Sequence, residues 1–345
     1  MKAVRVHEYE KRPVVEDVEE PTASGPLDVV VEVGGAGLCR TDLHIIEGQM
    51  AEKSGVTLPY TIGHENAGWV REVGSAVSNV APGDAVILHP LATCGLCRQC
   101  RAGDDVHCSN SKFPGIDSDG GMAELLHTNA RSVLRLDPPL RPADVAALAD
   151  AGLTAYHAVR KAVPLLYPGT RVVVIGAGGL GHIGVQCLVA MTAAEIIVLD
   201  RSRDALALAD SYGAQHTVLA DGRHLDAVAD ITGGEGAHVV LDFVGEKGTE
   251  AEGVRMLRRA GSYYVIGYGG HVDIPTIDII SSEINVIGNL VGSYNDLDEL
   301  MTLAAQGKVT LHTRTYPLEA VNDAMDDLDN GRLLGRGILV PQQKS

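Results

Sequence analysis

One segment restricts the fold more than any other. A short apolar run at 172–175 leads into Gly176-Ala177-Gly178-Gly179-Leu180-Gly181, and a helical stretch continues through Met191. A second apolar run, 196–199, ends at Asp200, nineteen residues past Gly181. Strand, glycine turn, helix, strand and terminal acid is the setting in which G-x-G-x-x-G binds a dinucleotide. The glycines allow a tight turn and close backbone approach, and the helix N-terminus faces the pyrophosphate. The bland alternative is a glycine-rich packing turn. Asp200 is placed to accept from the adenosine ribose hydroxyls, and its charge opposes a 2′-phosphate, so NAD is expected rather than NADP. Arg201 and Arg203 argue the other way, because a nearby arginine can accommodate that phosphate.

Further short buried strands are expected at 239–243, 263–266 and 284–287, separated by helical stretches. That alternation means a doubly wound parallel sheet. Residues 1–145 read differently, as short alternating strands at 28–33, 68–73 and 85–88, punctuated by Gly and Pro. After about 290 come helical stretches at 296–306 and 318–328 and a last apolar run at 337–340. This tail is too short for a domain and is expected to pack back on the first. A length of 345 residues suits two domains.

Net charge is −17, which argues against nucleic acid or an anionic membrane surface as a partner. MKAVRVHEYE lacks a basic-then-apolar targeting pattern. The uncharged stretch 172–194 contains five glycines, His182 and Gln186, so it does not read as a membrane span. A cytoplasmic protein is expected.

Cys94, Cys97, Cys100 and Cys108 fall within fifteen residues, spaced C-x2-C-x2-C-x7-C. One short loop can thus place four thiolates around a point. Zinc closed in by four such ligands holds structure rather than performing chemistry. Two disulfides or four unrelated thiols are the alternatives; the intracellular character of the rest favours the metal.

Two more segments carry metal-ligand chemistry: Gly37-Leu38-Cys39-Arg40-Thr41-Asp42-Leu43-His44 and Gly63-His64-Glu65-Asn66-Ala67-Gly68. With the four-cysteine loop, GAGGLG and the terminal GRGILV, in that order, the whole chain resembles the zinc-dependent, medium-chain alcohol dehydrogenases, and their bacterial secondary-alcohol branch in particular. The resemblance implies an α/β protein: a GroES-like, mostly-β catalytic domain at 1–151 with a structural zinc lobe near 90–110, a Rossmann NAD-binding domain at 152–290, and a return to the catalytic domain at 291–345.

It also implies roles. Cys39 and His64 would bind a catalytic zinc. Asp150 stands where the family most often has Cys; carboxylate also binds zinc, and Cys39 with Asp150 would still supply two negative charges. With the cysteine loop, that makes two zinc ions per subunit. Three protein ligands leave one position for water or the substrate oxygen. Thr41 and His44 are implied as the proton relay, by way of the nicotinamide ribose. Glu65 is implied as an acid behind the ligands or a transient ligand, and a nearby cation is expected for it. Arg40 and Arg336 are implied as pyrophosphate ligands, with Thr154 and Leu180 in the cofactor set.

The expected reaction interconverts alcohols with ketones or aldehydes by hydride transfer to nicotinamide C4, with short to medium secondary alcohols favoured. A polyol or amino-alcohol dehydrogenase is the alternative within the superfamily. A non-catalytic nucleotide-binding protein or a zinc-free quinone or enone reductase would be expected to lack these ligands. A homotetramer is implied, with a homodimer the alternative. Cys187 and His182 read as core or groove residues, and His89 is one of nine histidines without ligand spacing. By family position, Pro90, Leu91, Tyr294 and Asn295 would edge the substrate pocket.

Overall fold

The computed structural model describes residues 1–342, which form two compact units. Among these residues the first comprises Met1–Leu153, Gly292–Gly307 and 311–342; the second comprises Thr154–Val291 and Lys308–Thr310.

The first unit is built on a seven-stranded sheet whose long strand, Asp28–Leu38, pairs on its flanks with Glu65–Val73, Leu125–Asn129 and Arg336–Val340. Its odd-numbered valines Val29, Val31 and Val33 enter the core with Val70, Val86 and Leu339. Register matters more here than the layout. Gly37 lies opposite Glu65, and Leu38 opposite Gly337. Three strand ends distant in sequence therefore place Cys39, His64–Glu65 and Arg336 together. Gly37 is the residue this crossing tolerates, since a Cβ there would meet the Glu65 carboxylate at 2.0 Å. The C-terminal strand Arg336–Val340 is an integral member of this sheet. The helix expected over 318–328 begins later, as Val321–Asp329 after a single 3-10 turn at Leu318–Ala320.

The second unit is a six-stranded, fully parallel sheet in the order His216–Leu219, Glu195–Asp200, Arg171–Ile175, Ala237–Asp242, Leu257–Val265, Asn285–Gly288. Its central strands read RVVVI and EIIVLD, near-continuous apolar runs of the kind a sheet covered on both faces requires. Arg171–Ile175 pairs with Glu195–Asp200 on one side and Ala237–Asp242 on the other. Strand order reverses at that point, which opens a crevice at the carboxyl ends of these strands. No helix among the described residues is long and apolar enough to cross a membrane.

Candidate metal centres and nucleotide turn

The first cluster gathers Cys39, His64, Glu65 and Asp150, whose ligand atoms all lie within 4.8 Å of one another. Cys39 caps the helix Arg40–Ile46, and its backbone N–H donates to Asp42 Oδ2 at 2.8 Å. The other Asp42 oxygen lies 3.3 Å from His64 Nδ1. His64 Nε2 lies 3.6 Å from Asp150 Oδ2. Asp150 immediately precedes the helix Ala151–Ala162, whose first N–H donates to Glu65 Oε1 at 3.1 Å. The other Glu65 oxygen accepts from Arg336.

This geometry divides the cluster. Glu65 is fully buried, and its two oxygens are committed to Ala151 and Arg336. His64 Nε2 and Asp150 Oδ1 are buried and make no hydrogen bond. Buried polar atoms without partners are costly, and a cation between them supplies the missing interaction. Thiolate, imidazole and carboxylate form a zinc donor set, and Cys39 with Asp150 would bring two negative charges to a divalent ion. The residues present therefore fit a zinc ion held by Cys39, His64 and Asp150, with Glu65 behind them.

The electrostatics agree. Burial acts to lower the His64 pKa, but the Asp42 carboxylate, Cys39 and Asp150 reverse this and leave it well above the ordinary value. Burial pushes Asp150 and Glu65 upward, partly opposed by His64 and Arg336. Arg336 is itself buried, and the carboxylate of Glu65 and the sulfur of Cys39 keep it charged. The cluster is thus an anionic pocket with one fixed cation.

The four loop cysteines form the second cluster, with sulfurs all within 4.8 Å of one another and none in a disulfide. Zinc–sulfur bonds of about 2.3 Å in a tetrahedron need sulfurs about 3.8 Å apart, which this loop can supply. Backbone N–H groups of Cys97 and Cys94 point at Cys94 Sγ and Cys108 Sγ, each at 3.4 Å. Backbone hydrogen bonds, chiefly to the N–H of Cys100, pull the Cys97 thiol down to about 6, while burial pushes Cys100 up to about 12. Sulfurs this close together, with backbone N–H groups aimed at them, fit a closed structural zinc. The lobe is anchored by Asp105, which accepts from the Tyr294 N–H at 3.0 Å. Tyr294 and Asn295, with Gly103 and Arg131, line a cavity of about 380 Å³ beside Cys100. The Tyr294 hydroxyl donates to the Val133 carbonyl at 3.3 Å, and its ring centroid lies 6.3 Å from that of His89.

In the second unit, Gly176 has φ +86°, and a Cβ on Gly181 would come within 1.8 Å of the Gly176 carbonyl oxygen. Both must be glycine for the turn to close onto the helix Gly181–Met191, which Leu180 caps. A Cβ on Gly178, by contrast, would meet nothing within 4 Å. The turn leaves open space there, as backbone approach by a pyrophosphate requires. Gly179 lies in the same turn. Asp200 accepts from the N–H groups of Ala177 and Ser202, each at 2.7 Å, so it braces the turn and keeps lone pairs for a ligand. Thr154 is buried in the helix Ala151–Ala162.

Thr41 and His44 sit on one face of the helix that Cys39 caps, three residues apart. Arg40, beside them, is exposed. Asp42 escaped the sequence reading, although the signal was present: an acid three residues after Cys39 matches a capping box. Asp242 was missed as well. It is fully buried, accepts from Val244 and Gly245 N–H and from the Tyr263 hydroxyl, and so fixes the loop next to Gly176.

Comparison with known proteins agrees with this architecture. Residues 25–138 match the alcohol dehydrogenase GroES-like domain, and residues 179–306 match the zinc-binding dehydrogenase family. An NAD-dependent alcohol dehydrogenase of Sulfurisphaera tokodaii is 35% identical over 99% of this chain and 100% of its own length. A D-arabinose 1-dehydrogenase (NADP(+)) of Saccharolobus solfataricus is 34% identical over 99% of this chain and 97% of its own. The crystal structure of the alcohol dehydrogenase from Aeropyrum pernix superposes with a TM-score of 0.96 at 46% identity, covering 99% of this chain and 100% of that one. With its ligand clusters and parallel sheet, the chain belongs to the zinc-dependent, medium-chain alcohol dehydrogenase family.

Proposed function

We propose that this protein is an NAD-dependent, zinc-containing alcohol dehydrogenase that interconverts alcohols with ketones or aldehydes. The observation that carries the reading is the cluster of Cys39, His64 and Asp150, with orphaned donor atoms on His64 and Asp150 and Glu65 neutralised by Arg336. A bound zinc would supply Lewis acidity toward the alcohol oxygen, and NAD would supply the hydride-accepting nicotinamide. The chain's own residues do the rest. Cys39, His64 and Asp150 would hold the metal, and the Asp42 carboxylate, 3.3 Å from His64 Nδ1, would orient the ring. Thr41 takes the hydroxyl proton, and His44 releases it to solvent. The glycine turn receives the pyrophosphate, Asp200 the ribose hydroxyls, and Arg40, Thr154 and Arg336 complete the cofactor set.

Asp200 supports NAD over NADP, since its carboxylate would repel a 2′-phosphate. Short to medium secondary alcohols are the proposed substrates. The exposed apolar side chains Ile277, Ile280, Val286 and Leu290, around the edge strand Asn285–Gly288, support a homo-oligomer, for which a tetramer is proposed. A cytoplasmic location is proposed on the acidic, metal-thiolate character of the chain.

Absorbance at the nicotinamide band tests the reading, with NAD or NADP supplied against propan-2-ol, ethanol and sorbitol, each with and without a zinc chelator. Turnover of propan-2-ol with NAD, lost on chelation, is expected. Turnover of sorbitol alone moves the enzyme to polyols. No turnover of any alcohol by zinc-loaded protein defeats the proposal.

A further inference from the structure

His89 was set aside in the sequence because it shows no ligand spacing, yet its surroundings are unusual. The ring is buried, with 3% of its surface exposed. Nδ1 faces the Leu91 carbonyl at 3.1 Å, and Nε2 faces the Gly292 carbonyl at 2.9 Å. An imidazole that donates through Nε2 serves the Gly292 carbonyl, while the Leu91 carbonyl has a second donor in the Ser132 hydroxyl. Its backbone is held too: His89 N–H donates to the Ser132 carbonyl at 2.7 Å, and the Ser132 hydroxyl donates to the same Leu91 oxygen at 2.9 Å.

The second partner of this ring is the more informative. Between Val291 and Gly292 the chain passes out of the second unit and into the first. Val291 has φ +44° and is buried. A β-branched residue in left-handed backbone is a steric outlier, held only where its surroundings over-determine it. The crossover is pinned on both sides. Before it, Asn289 donates from its backbone and its side chain to the Val265 carbonyl at 3.0 and 3.2 Å. After it, His89 takes the carbonyl of Gly292. His89 and Pro90 also line a small cavity shared with the metal ligand His64.

We infer that His89 is a positioning residue: by holding the Gly292 carbonyl it fixes the strained Val291–Gly292 crossover and, packed beside Leu91, the wall of the site beside His64. The inference rests on the dehydrogenase reading for its kinetic consequence but not for its structural one. Loss of the ring frees the crossover and lets the 89–91 wall move. The cost falls on alcohol binding, while Cys39, His64 and Asp150 keep the chemical step.

The test uses the zinc-loaded, full-length protein and His89→Ala, His89→Asn and His89→Gln. Glutamine can place an amide N–H near the position of Nε2, and asparagine near that of Nδ1. Hydrogen–deuterium exchange of a peptide over 289–296 is expected to rise in H89A and H89N and to stay near wild type in H89Q. The KM for propan-2-ol is expected to rise about fivefold in H89A, the size of one hydrogen bond's net contribution, with kcat changed less than about twofold and H89Q restoring KM. Should H89A fail to fold, the contrast of H89N with H89Q decides. Wild-type exchange at 289–296 in H89N, or an H89Q as loose as the other variants, overturns the inference. Absence of alcohol turnover in the wild type defeats the dehydrogenase reading instead and leaves the exchange result to judge the clamp.

Discussion

Arg336→Met tests the buried pair behind the candidate metal centre. Both side chains are almost wholly out of water, with 4% of the Arg336 side chain and none of Glu65 exposed. Removing the guanidinium leaves Glu65 with the Ala151 N–H at 3.1 Å as its remaining named donor. Breaking a buried pair by deleting one partner costs about 3–5 kcal/mol, since the abandoned charge stays desolvated. Glu65→Gln in the same background removes that charge, keeps an acceptor for Ala151, and should recover most of the loss. Urea unfolding is the assay. Trp69, the sole tryptophan, lies on the strand Glu65–Val73, so its emission reports the unit that holds the pair. With a urea slope of about 2 kcal/mol per molar, Arg336→Met should lower the midpoint by about 2 M. The double variant should recover at least about half of that, giving a coupling energy above about 1.5 kcal/mol. A single-variant loss below about 1 kcal/mol is the behaviour of an exposed ion pair and would refute the reasoning. So would a double variant no more stable than Arg336→Met.

Cys39→Ser should abolish turnover with the melting temperature nearly unchanged, while Cys97→Ser should lower melting; wild-type melting in both would remove the structural role of the cysteine lobe. Asp42→Asn should weaken zinc binding by about 10–100-fold, measured by competition with a chromophoric chelator, because the carboxylate orients His64. Gly178→Ala should leave the fold intact, since a Cβ there meets nothing within 4 Å, yet weaken NAD binding by calorimetry; undiminished affinity would move the pyrophosphate elsewhere. The Glu195 carboxyl is held below its ordinary 4.5 by hydrogen bonds from His216 and Arg171. A depressed acid contributes stability above its unfolded pKa and loses it as pH falls through the folded value. Glu195→Gln should therefore flatten the acid limb of stability below about pH 4.5 by a small amount, and an unchanged limb in denaturant titrations would show the pair to be idle.

Local patterns sufficed for much of this protein, because their physics is local. The run VVVI, the glycine turn and the acid nineteen residues on need only short-range geometry to make a strand–turn–helix unit. The four-cysteine loop closes on itself within fifteen residues, so its spacing alone defines a metal lobe. The catalytic cluster was legible only through resemblance, since Cys39, His64 and Asp150 are far apart in sequence and no spacing joins them. Strand register brings two of them together, with Gly37 opposite Glu65, and the entry to the helix Ala151–Ala162 adds the third.

Side-chain commitments belonged to the tertiary structure. Tyr294 is tied to the cysteine lobe through Asp105 and to the Val133 carbonyl, partners that no short spacing announces. Arg336 meets Glu65 because the C-terminal strand pairs with Asp28–Leu38. His89 acquires its second carbonyl from a residue 203 positions away. The sequence by itself determined the four-cysteine loop and the dinucleotide turn, because those demands are written in residue type and short spacing. Tertiary structure alone decided which buried charges pair and which strained bond is held, because those depend on burial and on contacts between distant segments.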